Sequence, residues 1–136
     1  MQLTTSILAF AFSALASPTI VQRQITSVTP DFCTEAGYPD GDPYGEPYGT
    51  GWCAGLESEL GACYTWASFP AAEDAPLINN LTYVFIPGTF ECELYKTSNC
   101  TGDSYNAQDG DNDLSNSEFG PTSFNKEVNS WLCVAS

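Results

Sequence analysis

Six cysteines and no histidine limit the chemistry open to this chain. Cys33, Cys53, Cys63, Cys92, Cys100 and Cys133 are candidates for nucleophilic thiolates, metal ligands or halves of disulfides. A nucleophile needs a base beside it, and without histidine neither a Cys-His nor a Ser-His pair can be assembled. Zinc held by cysteine calls for closely spaced pairs, yet no C-x-x-C occurs. Structural bridges are the reading that remains, each contributing about 2 to 4 kcal/mol in a small secreted domain.

Carboxylates are the other abundant reactive group, with 17 acidic residues against 3 basic ones and a formal net charge of -14. A pair of them can hydrolyse glycosidic bonds, but so many acids make some pair inevitable, and a chain this short has little room for the cleft such chemistry needs. Asp109, Asp111 and Asp113 alternate as in a calcium loop, but an EF-hand needs glycine after the third acid and glutamate at its end, where Leu114 and Gly120 stand. A solvated acidic turn is expected there, with no catalytic residue, metal ligand or cofactor. The charge excludes nucleic acid as a partner and disfavours anionic membrane surfaces. It suits a soluble monomer kept from its copies by repulsion, or one that meets a cation or a basic partner.

Two further groups of residues concern carbohydrate. Asn80-Leu-Thr and Asn99-Cys-Thr are acceptor sequons, the first the better because cysteine in the middle position makes a poorer acceptor. Tyr44, Tyr48 and Trp52, in and beside a loop of proline, glycine, tyrosine and acid at 38–51, form a candidate aromatic platform for sugar or protein.

These groups must be positioned by strands. Residues 1–16 read as a secretory signal: the apolar run from Ile7 to Ala16 ends in Ala-Leu-Ala and is shorter than the about 20 residues a membrane helix requires. Residues 17–31 are expected to be a short arm or pro-segment, and 32–136 one domain. From Phe90 to Tyr95, Phe, Cys and Leu alternate with Glu, Glu and Tyr, a strand with one buried and one wet face; a polar turn over Lys96–Asn99 and Gly102 folds it into a hairpin. Gly55 and Gly61 break any helix between Trp52 and Trp66, so that stretch is read as strand. Leu81–Ile86 reads as a buried strand, 70–76 as a loop, and Val128–Val134 as the closing strand ending on Cys133.

Two blocks of similar order emerge, Cys33 to Phe85 and Cys92 to Cys133. Tyr95, Cys100 and Gly102, then Phe124, Asn125, Ser130, Trp131 and Cys133, follow a spacing that resembles the βγ-crystallin-like proteins secreted by fungi and some bacteria. In the first block Cys33 and Tyr38 occupy the hairpin positions, with Asp40 where glycine is expected; the nine residues between Cys53 and Cys63, followed by Tyr64, look like the secreted fungal members. The resemblance implies an all-β fold of two Greek-key motifs in a small disulfide-bridged β-sandwich, with Cys92 paired to Cys133. The other four cysteines stay open. It also implies calcium sites, but Lys126 and Asn129 depart from the pattern in the second motif, and in the first Asn79 and Asn80 supply the pair while Thr82 falls one position early. No tight calcium site is expected. Members of the resembled family are structural, calcium-binding, toxin-like or inhibitory, so fold does not decide activity. The expected function is non-enzymatic binding of an extracellular glycan or protein, the alternatives being a structural role without ligand and, last, a small carboxylate glycosidase.

Overall fold

The computed structural model describes residues 24–38, 47–69 and 76–136. Ten strands account for nearly half of them: β1 (Ser27–Val28), β2 (Asp31–Gly37), β3 (Tyr48–Gly55), β4 (Ser58–Glu59), β5 (Cys63–Thr65), β6 (Tyr83–Ile86), β7 (Phe90–Tyr95), β8 (Ser104–Ala107), β9 (Gly110–Asp113) and β10 (Ser130–Ala135). They form two four-stranded antiparallel sheets, ordered β3-β2-β6-β9 and β5-β10-β7-β8, with β1 and β4 as a separate ribbon. Each motif lends its third strand to the other's sheet: β5 closes the second sheet beside β10, and β9 closes the first beside β6. This exchange makes the two Greek keys one sandwich.

The core follows from alternation. Phe32, Val84, Ile86, Leu94 and Trp131 are fully buried between the sheets. Trp131 lies at the centre, its ring centroid 4.7 Å from Phe32 and 4.8 Å from Trp66. Both indoles are satisfied: Trp131 Nε1 donates to Ser58 Oγ and Trp66 Nε1 to the Val128 carbonyl, each at 2.9 Å. Strand register places Cys33 opposite Cys53 and Cys92 opposite Cys133, and both pairs are bonded; Cys63 is joined to Cys100. The last bridge ties the edge strand β5 to the turn of the β7–β8 hairpin, where Gly102 has φ +84° and Cys100 itself +53°.

Several expectations need correction. The arm at 17–31 gives its end to the fold: Ser27–Val28 pair with β4, Val28 and Pro30 are buried, and Asp31 opens β2. The loop at 38–51 gives way to strand from Tyr48, tolerable despite its glycines because β3 is an edge. Tyr95, on the face expected to be wet, is buried and donates to Glu93 Oε2 at 2.6 Å. The strand at Leu81–Ile86 begins at Tyr83, and the closing strand at Ser130. The acidic run at 109–113 is no solvated turn: it contains β9, paired to β6, with Asp113 fully buried. The signal segment 1–16, Asp40, Tyr44 and most of the 70–76 loop lie outside the described residues.

Candidate functional site

The candidate site is built on the segment that follows β9. Asp113 accepts from the Ser115 backbone N–H at 2.8 Å and hydroxyl at 2.6 Å through Oδ1, and from the Tyr38 hydroxyl through Oδ2. Asn116 extends this network: Nδ2 donates to the Tyr38 oxygen at 3.1 Å, and Oδ1 accepts from the Glu118 N–H at 3.0 Å. The chain must pass close to β9 here, since a Cβ on Gly120 would lie 2.8 Å from the Asp113 carbonyl oxygen. Phe119 is thereby set against Tyr38, ring centroids 6.2 Å apart.

Two depressions flank Phe119. The larger, about 570 Å³, is lined by Tyr105, Ser117, Glu118, Phe119, Thr122 and Ser123 among others; the smaller, about 280 Å³, by Pro47, Asp109, Gly110, Asp111 and Phe119. Tyr105 is held by its hydroxyl, which donates to Asn112 Oδ1 at 2.9 Å, leaving its ring to line the depression. The site offers aromatic surface, hydroxyls that both donate and accept, and carboxylates at the margin.

The acids behind it are already engaged. Asp111 accepts from the Tyr83 hydroxyl as Asp113 does from Tyr38. Burial, and then hydrogen bonding to these carboxylates, pushes both phenols up; burial pushes Tyr105 up as well. Protonated phenols clamped on carboxylates are structural pairs rather than an acid and base poised for turnover.

Of the platform expected at Tyr44, Tyr48 and Trp52, Tyr48 and Trp52 are described, at 48% and 39% exposure. Tyr48 lies across Gly37 beside Thr50, on the face opposite Gly49, which packs against Cys33 Sγ and the Tyr83 ring. Neither Tyr48 nor Trp52 lines the Phe119 depressions; their neighbour Pro47 does. Asn99 is exposed, its Oδ1 accepting from the Thr101 hydroxyl at 2.6 Å, whereas Asn80 is half-buried and the hydroxyl of its sequon Thr82 donates to Asn125 Oδ1 at 3.0 Å.

The structure also shifts the calcium stretch of the first motif by one residue. Asn79 and Lys126 carry the left-handed backbone, with φ +57° and +64°, each four residues before its strand begins at Tyr83 or Ser130. The buried Leu77 and Leu81 then match the buried Phe124 and Val128. In this register Ile78, not Asn79, corresponds to Asn125, and Tyr83 to Ser130. Among the described residues no three Asp, Glu or Cys side chains gather as a metal cluster.

Tyr105, Glu118 and Phe119 were not singled out by sequence reasoning. The signal for them is Phe119-Gly-Pro, an isolated aromatic beside two turn residues in a polar run.

No protein-family model and no curated protein sequence matches the chain. Solved structures do resemble it. A betagamma-crystallin domain from Flavobacterium johnsoniae is 20% identical with a TM-score of 0.54, the match covering 79% of this chain and 94% of that one. A mutant betagamma-crystallin domain from Clostridium beijerinckii is 15% identical with a TM-score of 0.55, covering 79% and 99%. At such identities the likeness is one of fold, and with the exchanged third strands it makes this molecule's architecture that of a βγ-crystallin domain bridged by three disulfides.

Proposed function

We propose that the protein is a secreted, non-enzymatic binding module of the fungal type whose target is a neutral cell-wall glycan. The observation that carries this reading is the depression between Tyr105 and Phe119. Sugar rings stack their C–H faces on aromatic side chains, and their hydroxyls need partners that both donate and accept, as Ser117, Thr122 and Ser123 do. A net charge of -14 opposes anionic polysaccharides and favours a neutral one. Three disulfides suit an oxidising compartment. N-linked sugar at Asn80 and Asn99 belongs to the same reading, with Asn99 the more accessible in the fold.

Sedimentation with insoluble chitin and β-glucan at about 0.15 M salt tests it. Binding to one of them that weakens at least about tenfold in Phe119→Ala, with stability unchanged, supports the reading. No retention on either, or retention indifferent to Phe119, removes it.

A further inference from the structure

The outer face of the second sheet carries three parallel rows. Strand register sets Leu132 of β10 opposite Glu93 of β7, and Glu93 opposite Asn106 of β8; Val134 stands opposite Glu91. An apolar row thus runs beside a carboxylate row, which runs beside a polar, uncharged one. Between them lies a trough of about 190 Å³ lined by Glu91, Glu93, Asn106, Leu132 and Val134. Its carboxylates are held in place: Ser104 and Tyr95 hydroxyls donate to the two oxygens of Glu93 at 2.7 and 2.6 Å, and Asn106 Nδ2 donates to Glu91 Oε2 at 3.1 Å. All these donors are neutral, so both negative charges remain. The described lysines do not line the trough, and the Lys96 ammonium sits 4.9 Å from the centroid of the Phe124 ring.

We propose that this trough receives an arginine or lysine side chain presented by an extended segment of a partner protein. Such a side chain is apolar along its stem and charged at its tip. Leu132 and Val134 offer surface to the stem, and Glu91 with Glu93 meets the tip. A neutral chain leaves the carboxylates unanswered, and an anionic one is repelled. The trough lies on β7, β8 and β10, separate from the Phe119 depressions, so it stands whether or not those bind glycan.

The test is a heteronuclear NMR titration of the intact protein with the capped peptide Val-Arg-Val-Arg-Val at about 0.15 M salt. Shifts should concentrate at residues 91–95, Asn106 and 132–134. Glu91→Gln/Glu93→Gln keeps the side-chain size and one acceptor oxygen at each position while removing both charges, and should weaken binding about tenfold. Asp103→Asn/Glu127→Gln removes the same charge elsewhere and should change it less than about twofold. Val134→Ser leaves the charge untouched and should weaken it about threefold. Shifts spread over all the acids, equal loss in the two charge variants, or no binding at millimolar peptide each overturns the proposal.

Discussion

Replacing Tyr38 with Phe keeps the ring that supports Phe119 and removes a single oxygen. That oxygen donates to Asp113 Oδ2 and accepts from Asn116 Nδ2. Asp113 is 0% exposed, and its remaining partners, the Ser115 N–H and hydroxyl, both sit on Oδ1. The substitution therefore strands Oδ2 in the interior. A hydrogen bond to a charged group contributes about 1.5 to 3 kcal/mol, and an orphaned buried acceptor costs about 1 to 3 kcal/mol; because these describe one lost contact they are not summed. We expect a loss of about 2 to 3 kcal/mol, or roughly 10 to 20 °C in Tm for a domain of this size.

The reciprocal change, Asp113→Asn, should be milder. Its Oδ1 still accepts from Ser115 and its new amide can donate to the Tyr38 oxygen, so about 1 kcal/mol is expected. The double variant should then be more stable than the two losses added together, with a coupling of about 1 kcal/mol or more. Urea denaturation at pH 7 with disulfides intact, followed by tryptophan fluorescence, measures all three. A Tyr38→Phe loss below about 0.5 kcal/mol, or strict additivity, would refute the reasoning that this pair holds the 115–120 segment in place.

Two other outcomes follow from the same geometry. Tyr38, Tyr83, Tyr95 and Tyr105 all titrate above the ordinary value of 10.0, Tyr95 being pushed up to about 12 chiefly by its hydrogen bond to Glu93. Since the unfolded chain sheds these protons first, their contribution to stability is complete below about pH 10 and is lost as pH rises through the folded values; a urea midpoint unchanged between pH 9 and 12, or native absorbance at 295 nm titrating entirely near pH 10, would contradict this. Calorimetric titration at about 0.15 M salt should show no saturable heat at micromolar calcium, because Ile78 and Lys126 stand where the two sites need oxygen; a stoichiometric site lost on replacing Asn125 or Asn79 would count against that register.

Periodicity made the sandwich legible because apolar alternation has one physical solution in a strand. Phe90 to Tyr95 and the Cys133 strand were recognisable for that reason, and their register puts Cys92 against Cys133. The acidic strand was not legible. Asp111, Asn112 and Asp113 read as solvent-seeking until Tyr83, Tyr105 and Tyr38, between seven and 75 residues away in sequence, arrive to satisfy them. Burial of a carboxylate depends on partners that no local pattern displays. The candidate site was hidden for a related reason: Tyr105 and Phe119 belong to different segments, and only the fold-back held by Asp113 and Asn116 brings them to one depression.

The two motifs are fastened differently at corresponding places. In the second motif Ser130 fastens the hairpin turn, its hydroxyl donating to the Thr97 carbonyl at 2.6 Å and accepting from the Cys100 N–H at 2.9 Å. A small hydroxyl does this only because the turn lies directly over the strand. In the first motif Tyr83 occupies the corresponding place. Its ring covers Gly49, where any Cβ would come within 2.8 Å of it, and its hydroxyl reaches across to Asp111 on the strand contributed by the other motif. In the first motif the Cys33–Cys53 bridge ties β2 to β3 covalently, where the second motif fastens its hairpin turn through the Ser130 hydroxyl. Tyr83 thus anchors its own strand to β9, the strand on which the Phe119 surface is built.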